Sequence, residues 1–194
     1  MDSQDLRTLR LLEEIEKSQT PSQRDLARKL DVSLGLVNSF IKRLANKGYF
    51  KVTTIPKNRV RYILTPKGAA EKTRLTYEYV QYSLRFYKVA RENLKDLFTE
   101  LEREGRRKIV FFGTGDLAEI AYVTLKETGL DLVGVVDDDT AGRRFLGVPV
   151  LNTDDIARMA FDAVAVVSLD ADGAERKLRG LGVPGDRIVR AEPV

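Results

Sequence analysis

SQRDLARKLDVSLGLVNSFIKRLANKGYFKVTTIPKNRVRYIL, residues 22–64, is the stretch that decides the fold of the amino-terminal half. Ser22 followed three residues later by Asp25 is typical of a helix start, and Ser33 can cap a second helix. Asp31 lies between them, where a turn needs positive φ, which Asp tolerates better than most residues. Ala27 is small enough for two helices to cross closely. We therefore predict two helices joined by a tight turn, with these apolar residues buried: Leu26, Leu30, Val32, Val37 and Phe40.

The second helix has an apolar face and a polar, basic face. The apolar positions at helical spacing are Leu36, Val37, Phe40, Ile41 and Leu44. In a helix-turn-helix, the second helix meets base edges with its first turns and phosphates with its flanks. Asn38 can pair with adenine, and Leu34 can contact a thymine methyl group. The predicted DNA contacts are therefore Ser33, Leu34, Gly35, Asn38, Ser39, Lys42 and Arg43. The alternative is a helical hairpin with an ordinary solvated face.

A β-hairpin wing is predicted directly after this motif. Residues 49–54 and 59–64 alternate well enough for strands, and Pro56, Lys57 and Asn58 supply the turn between them. We expect Lys57, Asn58 and Arg59 to contact DNA. Residues 22–74 contain 13 Lys and Arg against 3 Asp and Glu, whereas the whole chain carries only +4. This concentration of positive charge is expected of a module that binds double-stranded DNA.

Five segments carry a resemblance to a known family: SQRDLA, VSLGLVN, IKRLANKGYFK, YILTPKG and AEKTRLT. Together they cover most of residues 9–76, which resemble winged-helix regulators of the MarR type. The resemblance is strongest to the short group associated with exopolysaccharide gene clusters. It implies a bacterial DNA-binding protein that forms a dimer.

Two further helices flank the motif. Residues 3–17 predict a first helix that Ser3 can cap. Thr65 and Pro66 begin another, which can continue to Glu104 because neither Pro nor, after Gly68, Gly interrupts it. An apolar stripe recurs along it at intervals of three and four: Tyr79, Tyr82, Phe86, Ala90, Leu94, Leu97 and Leu101. A small winged domain cannot cover so long a stripe, which favours a homodimer seam. The alternative is a helix folded back on its own domain.

A glycine loop opens the carboxyl-terminal half. The strand KIVFF, residues 108–112, is followed by Gly-Thr-Gly-Asp-Leu-Ala and then a helix, the context of a dinucleotide-binding fingerprint. The second strand ends in three Asp residues, near the expected ribose-binding position. The helix N-terminus can offer N–H groups and a positive dipole end to a phosphate. The predicted ligand contacts are Gly113, Thr114, Gly115, Asp116, Leu117, Ala118, Asp137 and Asp138. The alternative for the glycine loop is a turn that only packs the helix against the strand, and the alternative for the acidic run is a solvated loop.

The remaining chain alternates strands and helices. We expect strands over 148–150, 163–167 and 187–190, a helix from Asn152 or Thr153 to Ala160, and a helix over 172–181. Such alternation predicts a parallel, doubly wound sheet. The segments VFFGTGDLAEIAY, LVGVVDDDTAGRRFLGVPVLNTDDI and DAVAVVS resemble the nucleotide-binding N-terminal region of polysaccharide-biosynthesis enzymes that act on sugar nucleotides. The catalytic region of those enzymes has no counterpart here.

Composition excludes several kinds of chemistry. The chain has no Cys and no His, which removes disulfides, thiolate or imidazole metal sites and Ser-His-Asp triads. The charged amino terminus does not read as a signal peptide, no apolar run is long enough to span a membrane, and a cytoplasmic protein is expected. Tyr122 and Lys126 match the Tyr-x-x-x-Lys of short-chain dehydrogenases, but they lie in the first helix after the glycine loop, so we interpret the match as chance.

These observations combine into one interpretation. Residues 1–64 form an α+β winged helix-turn-helix domain, 65–107 a long connecting and dimerising helix, and 108–194 an α/β Rossmann-like sensor domain with a parallel sheet. We expect a transcriptional regulator of exopolysaccharide or capsule genes, with a nucleotide sugar as ligand, no catalytic residue and no metal. One alternative is a redox-sensing repressor that binds NAD(H), similar in layout to Rex-type repressors. Another is an enzyme that modifies sugar nucleotides.

Overall fold

The computed structural model describes residues 1–18, 20–55 and 59–191, with only the backbone of Arg59. The chain divides into two compact units, Met1–Leu84 and Arg85–Val194, and each is described by itself. The division at residues 64 and 107 that the sequence suggests remains an interpretation. Among the described residues, no helix combines the length and apolar character needed to cross a bilayer.

The first unit has the predicted order of elements. Helices α1 (Ser3–Lys17), α2 (Gln23–Leu30) and α3 (Leu34–Asn46) precede the antiparallel strands β1 (Phe50–Ile55) and β2 (Arg59–Leu64), and α4 (Pro66–Arg103) follows. Asp31 adopts φ 52°, as the turn requires. The expected cap of α1 was wrong by one position. Asp2 caps it instead, because its carboxylate accepts the Asp5 N–H at 2.6 Å.

The core of the first unit joins the helices to the hairpin. Phe50 and Tyr62 of the two strands meet edge to face, with ring centroids 5.8 Å apart. The helices contribute Leu11, Leu12, Ile15, Leu26, Leu30, Val37, Phe40, Ile41 and Leu44. Leu36, which the helical spacing predicts on the buried face, is 38% exposed. The buried face of α3 centres on Val37 and Leu44, and a helix that turns by about 100° per residue places Leu36 at its rim.

The start of α4 is fixed against the turn before β1. The Thr65 hydroxyl donates to the carbonyl oxygens of Gly48, at 2.6 Å, and Tyr49, at 3.0 Å, and accepts the Gly68 N–H at 3.0 Å. Gly68 itself is buried, and a Cβ added there would lie 1.8 Å from the Tyr49 carbonyl oxygen. Only a residue without a side chain therefore fits at this position.

The second unit is built on a six-stranded sheet in the order β5-β6-β4-β3-β7-β8. Its strands are β3 (Lys108–Phe112), β4 (Asp131–Val136), β5 (Arg144–Phe145), β6 (Val148–Leu151), β7 (Ala163–Val166) and β8 (Ile188–Arg190). Helix α5 (Asp116–Leu125) connects β3 to β4, and α6 (Ala171–Gly180) connects β7 to β8. All strand pairs are parallel except β5 with β6. The short antiparallel β5 was not predicted, so the sheet is mixed rather than purely parallel.

Both faces of this sheet are covered. One face packs Ile109 and Phe111 against α5 and the last turns of α4, and the other packs Val110 and Val164 against α6. The Phe98 ring of α4 stacks on Phe111 with centroids 6.4 Å apart. The segment after β6 is a 3-10 helix over Thr153–Arg158 rather than the expected longer helix. This two-sided burial explains why the strands read as nearly continuous apolar runs.

The apolar stripe of α4 does not form one surface. Its carboxyl-terminal members are buried in the core of the second unit: Ala90, Leu94 and Leu101, with Phe98 beside them. Leu94 is therefore not available for the dimer seam to which the sequence assigned it. Tyr79 and Tyr82 remain 43% and 51% exposed.

Candidate functional site

The first candidate site is the outer face of α3. The Ser33 hydroxyl caps the helix by accepting the Leu36 N–H at 3.3 Å, as predicted. Gly35, Ser39 and Lys42 are exposed and follow one another at helical spacing, and Leu34 at the start of the helix is 41% exposed. A Cβ added at Gly35 would meet no atom within 4 Å, so the surface there is open. Asn46 continues this face and was not foreseen from the sequence.

Asn38 and Arg43 lie at the two sides of this face and are half-buried. The Asn38 Oδ1 atom is buried and has no hydrogen-bond partner among the described residues. In this conformation the oxygen is covered by the protein, and the base contact expected of Asn38 stays a prediction. The Arg43 guanidinium lies over the Phe40 ring, 4.6 Å from its centroid. Arg43 therefore lies at the edge of the exposed face of α3 rather than at the centre of that face.

The described part of the wing carries exposed cations on both strands. Lys51 of β1 and Arg61 of β2 are exposed. Two predicted contacts, Lys57 and Asn58, lie outside the described residues, and of Arg59 only the backbone is described. The predicted role of these three residues in DNA binding stays a prediction.

The second candidate site is a cleft of about 260 Å³ at the carboxyl ends of the central strands of the second unit. Strand β3 has β4 on one side and β7 on the other, and β4 and β7 belong to opposite halves of the sheet. In open α/β sheets, ligands bind in the crevice at such a switch point. The cleft is lined by Phe112, Gly113, Asp137, Asp138, Asp139, Thr153, Ser168 and Lys177.

The glycine loop forms one wall of this cleft. Gly113 has φ +108°, and a Cβ added there would lie 3.3 Å from the Val167 carbonyl oxygen. Gly115 precedes α5 in an extended conformation, and no side chain caps the helix. A Cβ at Gly115 would meet no atom within 4 Å, so this position faces open space. The two glycines therefore have different roles: the first is required by the backbone, whereas the second leaves room beside the helix start.

The other predicted loop residues divide between surface and core. Asp116 is exposed, whereas Leu117 and Ala118 are buried against the sheet, so their side chains cannot contact a ligand in the cleft. Thr114 donates its hydroxyl proton to Asp137 Oδ2 at 2.6 Å and lies 3.0 Å from the Thr140 hydroxyl. Asp137 Oδ1 also accepts the Asp139 N–H at 3.0 Å. Asp137 is thus fixed beside the glycine loop, as expected.

Asp138 points to a different set of partners. Its Oδ1 accepts the Thr153 N–H at 2.8 Å, the Thr153 hydroxyl lies 2.9 Å from both carboxylate oxygens, and Lys177 forms an ion pair with it. The ammonium group of Lys177 and the Thr153 N–H hold the pKa of the Asp138 carboxyl below its ordinary value of 3.8. Asp138 therefore links the end of β4 to Thr153 and to Lys177 of α6. Asp137 is the carboxylate that contacts the glycine loop.

Several lining residues could not be found from sequence. Lys177, Thr153 and Ser168 come from three separate segments, and nothing in their local pattern marks them. The Tyr-x-x-x-Lys match has a structural explanation: the Tyr122 ring packs edge to face on Phe145, with centroids 6.2 Å apart, and Lys126 lies 5.2 Å from the Tyr122 centroid. Among the residues the structure describes, no group of three or more Asp and Glu side chains is arranged to hold a metal ion.

Comparison with known families agrees with the fold of the first unit. Residues 4–51 match the family model described as winged helix-turn-helix DNA-binding. The amino-terminal unit contains a winged helix-turn-helix domain. Residues 105–189 match a second family model, described as C2185-like, N-terminal. No curated protein matches the chain.

Solved structures give only distant similarities. A MarR family transcription regulator is 19% identical, with 51% of this chain and 74% of that chain covered and a TM-score of 0.36. The zinc-responsive MarR family member ZitR of Lactococcus lactis is 18% identical, with coverages of 66% and 76% and a TM-score of 0.37. The mitomycin 7-O-methyltransferase MmcR is 12% identical, with coverages of 95% and 73% and a TM-score of 0.39. Such low scores establish neither a shared fold nor a shared function.

Proposed function

We propose that this protein is a DNA-binding transcriptional regulator of the MarR type whose second unit senses a nucleotide-type ligand. One observation carries the DNA-binding part. The face of α3 that the winged fold leaves open consists of Gly35, Ser39 and Lys42, which are small, polar or positively charged. Side chains of this kind allow a helix to approach base edges closely in the major groove. The excess of Lys and Arg over residues 22–74 supplies the attraction to phosphates.

The test of DNA binding is salt dependence. Duplex binding by the full chain, followed by fluorescence anisotropy, should weaken linearly in a plot of log affinity against log salt. Lys42→Ala should reduce the slope by roughly 0.9, because one fewer phosphate charge is neutralised. The control is Lys17→Ala at the end of α1, which removes the same charge from a side chain outside this face. Duplex binding that does not respond to salt, or no binding at all, would contradict the proposal.

The second unit suits a ligand with a phosphate and a ribose. The order β6-β4-β3-β7-β8 corresponds to the first five strands of the dinucleotide-binding sheet, with the switch point between β3 and β7. Gly115 leaves space at an uncapped helix start, where N–H groups favour an anion. Asp137, directly after β4, would accept a hydrogen bond from a ribose hydroxyl. The leading candidate is a nucleotide sugar, since the resemblances point to polysaccharide biosynthesis.

A thermal-shift screen of nucleotide sugars, NAD(H) and acyl-CoA identifies the ligand, because binding to the folded state raises the melting temperature. Gly115→Val should abolish the shift of the active compound without changing the fold, since the added side chain enters open space. A shift from NAD(H) alone would favour the redox-sensing alternative. Turnover of a nucleotide sugar would favour an enzyme. An equal shift in wild type and Gly115→Val would mean that the glycine loop is not the ligand site.

We also propose that α4 supports a homodimer. Tyr77, Val80 and Leu84 recur at intervals of three and four residues and are 66%, 46% and 51% exposed. Three large apolar side chains in one exposed stripe are typical of a helix that packs against a partner helix. The flanking Thr76, Gln81 and Ser83 are uncharged.

A further inference from the structure

A second cleft, of about 340 Å³, lies in the first unit between α1 and α3. Gln4 and Arg7 line it from α1, and Leu36, Ser39, Phe40 and Arg43 line it from α3. Ser39 also belongs to the open face of α3. The cleft therefore opens beside the surface that we assign to DNA, and one of its walls comes from a helix that precedes the helix-turn-helix.

The two arginines of this cleft are not neutralised. Among the described residues neither Arg7 nor Arg43 forms an ion pair, and no carboxylate lines the cleft. Asp2 caps α1 and Asp5 lies in its first turn, but both lie outside the lining. Two guanidinium groups in one cleft repel each other, and the repulsion is relieved when an anion binds between them. The half-buried position of both side chains limits screening by solvent.

Arg43 is oriented before any ligand arrives. Its guanidinium lies 4.6 Å from the Phe40 ring centroid. The Gln4 carboxamide, oriented with its oxygen toward Arg43, accepts a hydrogen bond from Arg43 Nη2 at 2.9 Å. The Nε atom is buried and has no partner among the described residues. A fixed guanidinium loses less side-chain entropy when it binds a phosphate, and its planar fork matches two phosphate oxygens.

The apolar side of the cleft favours a sugar–phosphate backbone over a free anion. Leu36 is 38% exposed and supplies an apolar surface beside the two arginines of the cleft. Protein contacts to DNA outside the bases are made to phosphate oxygens and to the sugar. When α3 lies in the major groove, its sides face the backbone strands that border the groove. A deoxyribose on Leu36 and its phosphate between the arginines would occupy both parts of the cleft.

We propose that Arg7 of α1, together with Arg43 and Ser39 of α3, binds a backbone phosphate of DNA. This rests on the proposed DNA-binding function and adds to it a contact from outside the helix-turn-helix and the wing. The contact carries no base preference, because phosphates are the same in every sequence. It positions α3 in the groove and contributes to the salt dependence of binding.

The experiment compares Arg7→Gln with wild type on two duplexes of unrelated sequence over a fourfold range of salt. Loss of one phosphate contact reduces the slope by roughly 0.9, so the advantage of wild type should shrink about 3.5-fold when salt is raised fourfold. Both duplexes should respond alike. Arg10→Gln is the matched control, because it removes the same charge from an exposed position of the same helix outside the cleft. Arg7→Lys keeps the charge and should retain most of the wild-type slope.

Each other outcome overturns the proposal in a recognisable way. An unchanged slope in Arg7→Gln would show that no phosphate binds there. An equal loss in Arg10→Gln would indicate general attraction rather than a site. An Arg7→Lys variant as weak as Arg7→Gln would indicate packing instead of charge. If wild type binds neither duplex, the proposed DNA-binding function fails, and this inference fails with it.

Discussion

Replacing Gly68 by Ala should destabilise the first unit, although Ala is the better helix former. The added Cβ would lie 1.8 Å from the carbonyl oxygen of Tyr49, 2.7 Å from its carbonyl carbon and 2.9 Å from Leu64 Cδ1. Two of these three atoms belong to the backbone, and the Thr65 hydroxyl hydrogen-bonds to the same carbonyl oxygen. The clash can therefore be relieved only by moving α4 away from the turn.

The magnitude follows from two opposed effects. Ala gains about 1 kcal/mol over Gly inside a helix, whereas overpacking a close contact typically costs about 1–3 kcal/mol and occasionally more. Since the contact is with backbone, we expect the upper part of that range and a net loss of about 1–2 kcal/mol. For a unit of this size, each 1 kcal/mol corresponds to a fall in melting temperature of roughly 4–8 °C.

Scanning calorimetry of the full chain, with amide hydrogen exchange to assign the transition, measures this loss. Gly35→Ala is the matched control, because Gly35 is also helical and its Cβ would meet no atom within 4 Å. Gly35→Ala should leave the first unit unchanged or raise its stability by up to about 1 kcal/mol. A Gly68→Ala protein as stable as wild type would refute the packing argument.

Three further predictions concern the second unit and the assembly. The pKa of Asp138 is lowered in the folded protein, so the ionised carboxylate stabilises the fold above pH 3.8, the ordinary pKa of Asp. This stabilisation is lost as the pH falls through the folded-state pKa. The difference in melting temperature between wild type and Asp138→Asn should therefore shrink below about pH 4. Gly113→Ala should destabilise the second unit by about 1–3 kcal/mol in urea denaturation, because Gly113 has a positive φ. Gly115→Ala should cost less than about 1 kcal/mol. Equal losses would contradict the roles given to the two glycines. Leu84→Glu should yield monomers in sedimentation experiments if the exposed stripe of α4 pairs with a second copy, while the neighbouring Arg85→Glu should not; a wild-type monomer at micromolar concentration would refute the pairing.

The parts of the fold that could be predicted are those with local causes. Ser22, Asp31 and Ser33 mark the ends of α2 and α3 through caps and a turn, which depend on a few neighbouring residues. The strand, glycine loop and helix around Gly113 are equally local. The positions of Asp137 beside the loop and of Ser39 and Lys42 on the open face followed from these elements.

The parts that could not be predicted depend on what each element packs against. The apolar stripe of α4 reads as continuous from Tyr79 to Leu101, and periodicity alone does not show that its last part is covered by Phe111. Likewise, the helical spacing that predicts one buried face on α3 does not reveal that Leu36 lies at its rim, nor that Arg7 lines the adjacent cleft. Lys177 enters the other cleft from α6 because of the strand order, to which its neighbours in sequence give no clue.

The burial of Phe98 against Phe111 determines where a fragment that contains the second unit can begin. A fragment that begins at Lys108, the start of the sheet, would lack Leu94, Phe98 and Leu101, which cover one face of the central strands. At about 1.5–3 kcal/mol for each large apolar side chain buried, the fragment would lose roughly 5–9 kcal/mol, comparable with the entire stability of an ordinary domain. Expression of the second unit alone, or its fusion to a different amino-terminal domain, therefore requires the helical segment from residue 85 onward.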